Sequence, residues 1–152
     1  MNYSECIENA RTRIGNYCKA CPECNGRACK NQMPGPGAKG IGDTAIRNYD
    51  KWKEIRVQMD TIAENKPVDT SLELFGKKFL YPFFAGPVGA VGLHYGDCLD
   101  DVRYNDILVS ACAKYGIAAF TGDGLDSNVM VAATKAIGKT DGIGIPTVKP
   151  WN

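Results

Sequence analysis

The chain has 152 residues, enough for one domain with a hydrophobic core. Its residues are 44% hydrophobic and 23% charged, with a net charge of +1, so nothing suggests the concentrated basic face that nucleic acid or an anionic membrane requires. No run approaches the roughly 20 apolar residues of a membrane span, and the N-terminus, MNYSECIENARTRIG, mixes charges throughout without an apolar signal core. These features predict a soluble, cytoplasmic protein that binds neither nucleic acid nor membrane.

Tyr3 to Gly15 reads as a first helix, with Ser4 as a cap and Ile7, Ala10 and Ile14 on one face. After a cysteine-rich segment, MPGPGAKGIGD is too rich in Gly and Pro for regular structure. Asp43 or Thr44 can cap a second helix carrying Ile46, Trp52, Ile55, Met59 and Ile62 to about Glu64, with an interruption possible near Val57. Leu72 to Phe75 and Lys78 to Leu80 read as a hairpin joined through Gly76-Lys77. The hairpin leads into an apolar strand, Phe79 to Ala85, which Gly86, Pro87 and Gly89 stop abruptly.

Beyond a polar loop around His94 to Asp101, a helix from about Tyr104 to Tyr115 puts Ile107, Leu108, Ala111 and Cys112 on one stripe. Ile117 to Thr121 reads as a second strand ending in Gly122-Asp123-Gly124. Asn128 caps a helix through Ala136, and Ile143 to Val148 is a third strand candidate containing Pro146. Strand, helix, strand, helix, strand with crossover-length connections predicts parallel strands with helices packed outside.

The three strand ends, Gly86 to Gly89, Gly122 to Gly124 and Pro146 to Lys149, then share one rim, where ligands bind in parallel sheets and barrels. Glycines there let a flat ring or a phosphate approach the backbone, or simply turn the chain; with two such ends in register the two readings weigh about equally. Asp123 can accept from a cofactor or cap the next helix, and Lys149 can offer a cation or stay solvated. His94 is the only histidine, and no nucleophile–base grouping assembles around it.

Cys18, Cys21, Cys24 and Cys29 form a C-x2-C-x2-C-x4-C cluster, while Cys6, Cys98 and Cys112 are scattered. Four thiolates so close can converge on zinc or an iron–sulfur cluster; a redox dithiol and plain reduced cysteines are the alternatives.

Several segments together resemble the FMN-dependent α-hydroxy-acid dehydrogenases and oxidases, the group of glycolate oxidase and lactate oxidase. They are GAKGIGDTAIRN at 37–48, VDTS at 68–71, FGKK at 75–78, YPFFAGPVG at 81–89, Leu93-His94, and Gly116 to Gly124. The resemblance runs from about Gly37 to the C-terminus and implies a (β/α)8 TIM barrel with FMN across its carboxyl rim. Carried over residue by residue, it places Gly86, Pro87, Val88, Gly89, Gly122, Asp123, Thr147 and Lys149 at the flavin. Gly86, Val88 and Gly89 replace the family's alanine, threonine and alanine, Gly122-Asp123 replaces a serine pair, and the N-terminal substrate-binding tyrosine has no clear match. Type 2 isopentenyl-diphosphate isomerase, another FMN barrel, is a further relative by the same reading.

A full barrel needs about 250 residues. The resemblance therefore implies the first βα units of an incomplete barrel at 43–152, preceded by a helical, Cys-rich segment at 1–42. The family's catalytic histidine, flavin-contacting lysine and substrate-binding arginine belong to later strands, so no catalytic residue is assigned here. The expected partners are a small 2-hydroxy acid, a complementary half-barrel and, through an exposed strand edge, other copies of the chain.

Overall fold

Packing in this protein is built around two helices that cross between short parallel segments. The structure, a computed structural model, describes residues 1–29, 43–124, 126–141 and 143–148. It divides into two units, Met1–Asn65 with Gly92–Cys98, and Lys66–Val91 with Leu99–Asn152.

In the first unit, α1 spans Tyr3–Arg11 and α2 spans Thr44–Trp52. The cap of α1 is Asn2 rather than Ser4. Asn2 Oδ1 accepts from the Glu5 N–H at 2.9 Å and Glu5 Oε2 accepts from the Asn2 N–H at 2.9 Å, a reciprocal capping box. The helix also stops four residues before the expected Gly15. α2 ends at Trp52, well short of Glu64, because the apolar residues beyond it do not continue a helical stripe: Ile55, Val57 and Met59 lie two apart and all are exposed. Neither helix contains a fully buried residue, and Ala20 is the one buried hydrophobic residue in this unit among those described.

The second unit opens with a hairpin, β1 (Leu72–Leu74) against β2 (Lys77–Phe79). The turn is Phe75-Gly76 and not Gly76-Lys77, with φ of +54° and +70°, as a two-residue primed turn demands. The chain then bends through Leu80 to Pro82. The expected strand Phe79 to Ala85 thus divides: Phe79 belongs to β2, and Ala85 alone bridges to Ala119. In chain order there follow α3 (Val91–Tyr95), most of which belongs to the first unit, then α4 (Asp101–Lys114), β3 (Ala119–Phe120), α5 (Ser127–Gly138) and β4 (Gly144–Ile145).

α4 begins where Asp100 Oδ1 accepts from the Arg103 N–H at 2.7 Å. It ends in a Schellman arrangement, with Ile117 N–H bonded to Cys112 O at 3.0 Å and Gly116 N–H to Ala113 O at 3.1 Å. Asn105, Val109 and Cys112 form its buried stripe, and Val129, Ala133 and Ala136 form that of α5. Asp126, not Asn128, caps α5, accepting from the Asn128 N–H at 2.9 Å. Val109, Cys112, Ala119 and Ala136 make the core, with Ala85, Leu108, Ile117 and Ile137 packed around it. Small residues on facing surfaces let helix and strand approach closely.

Three parallel segments lie in sequence order. Ala85 N–H donates to Ala118 O at 3.0 Å and Phe120 N–H to Ala85 O at 2.9 Å, while β3 pairs in parallel with β4, Ala119 opposite Gly144. This is the expected strand–helix order with outside helices, shortened to one- and two-residue pairings. The unit is a small mixed α/β arrangement, and its described residues form no closed barrel.

Past these pairings the first two strand ends meet backbone to backbone. A Cβ at Gly122 would collide with the Val88 carbonyl, and one at Gly89 with the Asp123 carbonyl. Each glycine is required by the other loop. By contrast, a Cβ at Gly86 would meet nothing within 4 Å.

Substitution should therefore have opposite consequences at these glycines. Gly122→Ala, which forces the loops apart, should destabilise the protein by about 1–3 kcal/mol, while Gly86→Ala should stay within about 0.5 kcal/mol of the parent, both read from denaturant midpoints. Phe75 is exposed with a left-handed backbone that Asn adopts more readily. Phe75→Asn should accordingly raise stability by about 1 kcal/mol, and a lowered midpoint would show that the ring contributes more than the turn strain costs.

Candidate functional site

Alternation along the parallel segments sends neighbouring side chains to opposite faces. Ala85 and Ala119 pack toward α4 and α5, and their neighbours Phe84 and Phe120 take the other face, ring centroids 6.4 Å apart and edge to face. Phe79 extends this cluster, 5.5 Å from Phe84. At the carboxyl ends of the same segments an open cavity of about 620 Å³ is lined by Phe84, Gly86, Pro87, Phe120, Pro146 and Thr147. Its walls are aromatic and apolar, and Thr147 is the one polar side chain on them among the described residues.

The rim behind the cavity is fixed by hydrogen bonds. Asn105, fully buried on α4, accepts the Gly122 N–H at 2.9 Å through Oδ1, while its Nδ2 has no partner among the described residues. Thr121, also fully buried, donates its N–H to Ile145 O at 3.0 Å, and its Oγ1 accepts from the Thr147 N–H at 3.3 Å. Asp101 on α4 accepts the Val91 N–H at 3.2 Å, holding the chain where it leaves the first rim loop.

The expected flavin residues separate into groups. Gly86, Pro87 and Thr147 line the cavity. Val88, Gly89, Gly122 and Asp123 form the packed crossing of the two loops, where Asp123 Oδ1 accepts the Gly124 N–H at 2.8 Å and Asp126 takes the role of helix cap. Lys149 lies outside the described residues. His94, in the last turn of α3, is half-buried and stands edge-on to Tyr95 at 6.0 Å.

The cysteine cluster is gathered but not converged. Cys18, Cys21 and Cys29 are half-buried and Cys24 is exposed. Burial, followed by the charges of Cys24, Cys18 and Cys21, pushes the Cys29 thiol up from its ordinary value. Among the described residues no three His, Cys, Asp or Glu side chains are placed to hold one metal ion, so the structure does not show the expected four-cysteine centre formed. Cys112 serves the core, and burial raises its thiol as well.

Sequence reading put Pro146 on the rim but missed Phe84 and Phe120 as cavity walls, and Asn105 and Thr121 as rim supports. The signal for the phenylalanines is the small–large alternation in Phe84-Ala85 and Ala119-Phe120. For Asn105 it is a polar residue in register with Val109 and Cys112, on a stripe that is otherwise apolar.

Flavin fits this site on three counts. The cavity volume lies in the range of ligand pockets, about 300–1,000 Å³. Its walls are apolar and aromatic, and Gly86 leaves open space beside the backbone. Among the described residues no helix is long and apolar enough to cross a membrane. No curated protein and no solved structure matches the chain. The family model for FMN-dependent dehydrogenases matches residues 35–140, well over half the sequence and both of the first two strand ends. On that match, with helices crossing between parallel segments and a glycine-bordered cleft at their carboxyl ends, the chain belongs to the FMN-dependent dehydrogenase family.

Proposed function

We propose that this chain supplies the first βα units of an FMN-binding barrel in an oxidoreductase that converts a small 2-hydroxy acid to a 2-oxo acid. The observation carrying the reading is the cleft at the ends of Ala85, β3 and β4, walled by Phe84 and Phe120 and open beside Gly86. The remaining strands of the barrel come from further polypeptide, in the same protein or a partner, which would cover the apolar face bearing Phe84 and Phe120.

Each residue has a limited task in this scheme. Gly86 would present a side-chain-free edge to the flat isoalloxazine ring with the apolar ring of Pro87 beside it, and the two phenylalanines would keep water from one side of the cleft. Thr147, held by Thr121, offers a polar group at the third strand end. Asn105 fixes Gly122, and through it the loop that props up Val88 and Gly89. Bound FMN supplies the capacity to accept a hydride from the substrate carbon. No residue of this chain is assigned as the base that takes the hydroxyl proton.

Gly86→Val tests this directly, because the added side chain meets open space in the protein and obstructs the cleft. In the complete FMN-loaded enzyme, the variant should keep its melting temperature and lose at least about tenfold in FMN affinity, equivalent to about 1.4 kcal/mol. Anaerobic addition of a short 2-hydroxy acid should bleach the flavin absorbance of the parent enzyme. A parent protein that binds no FMN, or a Gly86→Val variant that binds it as tightly as the parent, would overturn the cleft assignment. FMN binding without bleaching by any 2-hydroxy acid would overturn the substrate class alone.

A further inference from the structure

The first unit poses a physical problem. Among its described residues, two nine-residue helices contain no fully buried residue, and Ala20 is the only buried hydrophobic side chain. Apolar burial among these residues is slight, and small units with little core commonly rely on a staple such as a metal or a cross-link.

Its loop is nevertheless held in a definite shape. Tyr3 donates its hydroxyl to Pro22 O at 2.7 Å, and Arg11 Nε donates to Ala20 O at 3.3 Å, so α1 grips the segment between Cys18 and Cys24 at two carbonyls. Ala20 adopts a left-handed φ of +43°, a strained conformation for a residue with a Cβ. That turn brings the Ala20 N–H to within 3.5 Å of Cys18 Sγ. On the far side, Gly26 lies so close to α2 that a Cβ there would stand 2.7 Å from the Ala45 Cβ. The four cysteines are therefore carried on a loop fastened to both helices, with one backbone N–H already directed at a sulfur.

We infer that Cys18, Cys21, Cys24 and Cys29 bind one thiophilic metal centre, zinc or an iron–sulfur cluster, which serves as the structural staple of the N-terminal unit. An N–H directed at a sulfur stabilises a thiolate, the form that binds metal, and each coordinating thiol releases its proton to solvent. The sulfurs do not share one coordination sphere in the structure, so metal binding draws them together and closes the loop. Disulfides are the weaker staple here. All seven cysteines are free thiols, and a bridge across a few residues of one loop restrains little chain, whereas one ion joins four points. This inference stands independently of the flavin reading, since every residue it uses lies in the first unit.

The test is metal analysis of the full chain expressed with zinc and iron supplied and purified without oxygen. The account expects about one zinc per chain with no visible absorbance, or one cluster with a broad visible band. Cys21→Ser/Cys24→Ser should reduce that content to near zero and speed hydrogen exchange at the amides of α1 and α2, as chelator should in the parent. Cys98→Ser, a change at an exposed cysteine outside the loop, should leave both unchanged. Three results would overturn the inference: a metal-free chain that takes up neither Zn2+ nor reconstituted cluster, a double variant with parental metal content, or a thiol count showing the four cysteines paired as disulfides.

Discussion

The second unit depends on the mutual exclusion of side chains where Val88-Gly89 crosses Gly122-Asp123. Each loop sits where the other would need a Cβ, so neither can carry a side chain at its glycine without displacing its neighbour. Asn105 adds a buried hydrogen bond from α4 to Gly122, and Thr121 joins the second end to the third. The result is a rigid rim assembled almost entirely from backbone. Such a preorganised edge next to an open glycine would lose little entropy on binding a flat cofactor.

That constraint changes the meaning of the glycines. In sequence, Gly86, Gly89 and Gly122 look alike, three small residues after strands. In the structure Gly89 and Gly122 are consumed by packing against carbonyls, and Gly86 alone among them leaves space for a ligand. Glycine at 122 therefore has a packing reason independent of flavin chemistry. The phenylalanines complete the division: one face of the parallel segments packs on α4 and α5 through alanines, and the other carries rings toward the cleft.

Much of the second unit is legible in the sequence because it obeys strong periodicities. The helical period and the punctuating glycines mark α4 and α5, but the expected stripe of α4, Ile107, Leu108, Ala111 and Cys112, is turned: Asn105, Val109 and Cys112 are buried, while Ile107 and Ala111 are exposed. Strand lengths are less legible. Apolar runs such as Phe79 to Ala85 contain both a hairpin residue and a bridge residue, and nothing local separates them; the division comes from Pro82 and from where Gly116 receives the Leu80 N–H at 2.8 Å. The expected α2 overruns the observed one because Ile55, Val57, Met59 and Ile62 are apolar without a helical surface to bury. Both of these caps shift by two residues, since Asn2 and Asp126 compete with Ser4 and Asn128 through geometry that composition does not encode. The cavity walls stay hidden because a phenylalanine beside an alanine reads as core until the sheet's two faces are known.

The cleft and the interlocked rim make different demands on the same short loops, and amide chemical shifts distinguish them. Titrating FMN into the complete protein with this chain isotopically labelled should shift the amides of Gly86, Phe120 and Thr147 strongly, while Asn105 and Gly122, behind the rim, should move little and show the same hydrogen exchange with and without FMN. Large shifts confined to Gly122 and Asp123, with Gly86 and Thr147 unmoved, would contradict the account by placing the cofactor on the crossing and not in the cleft.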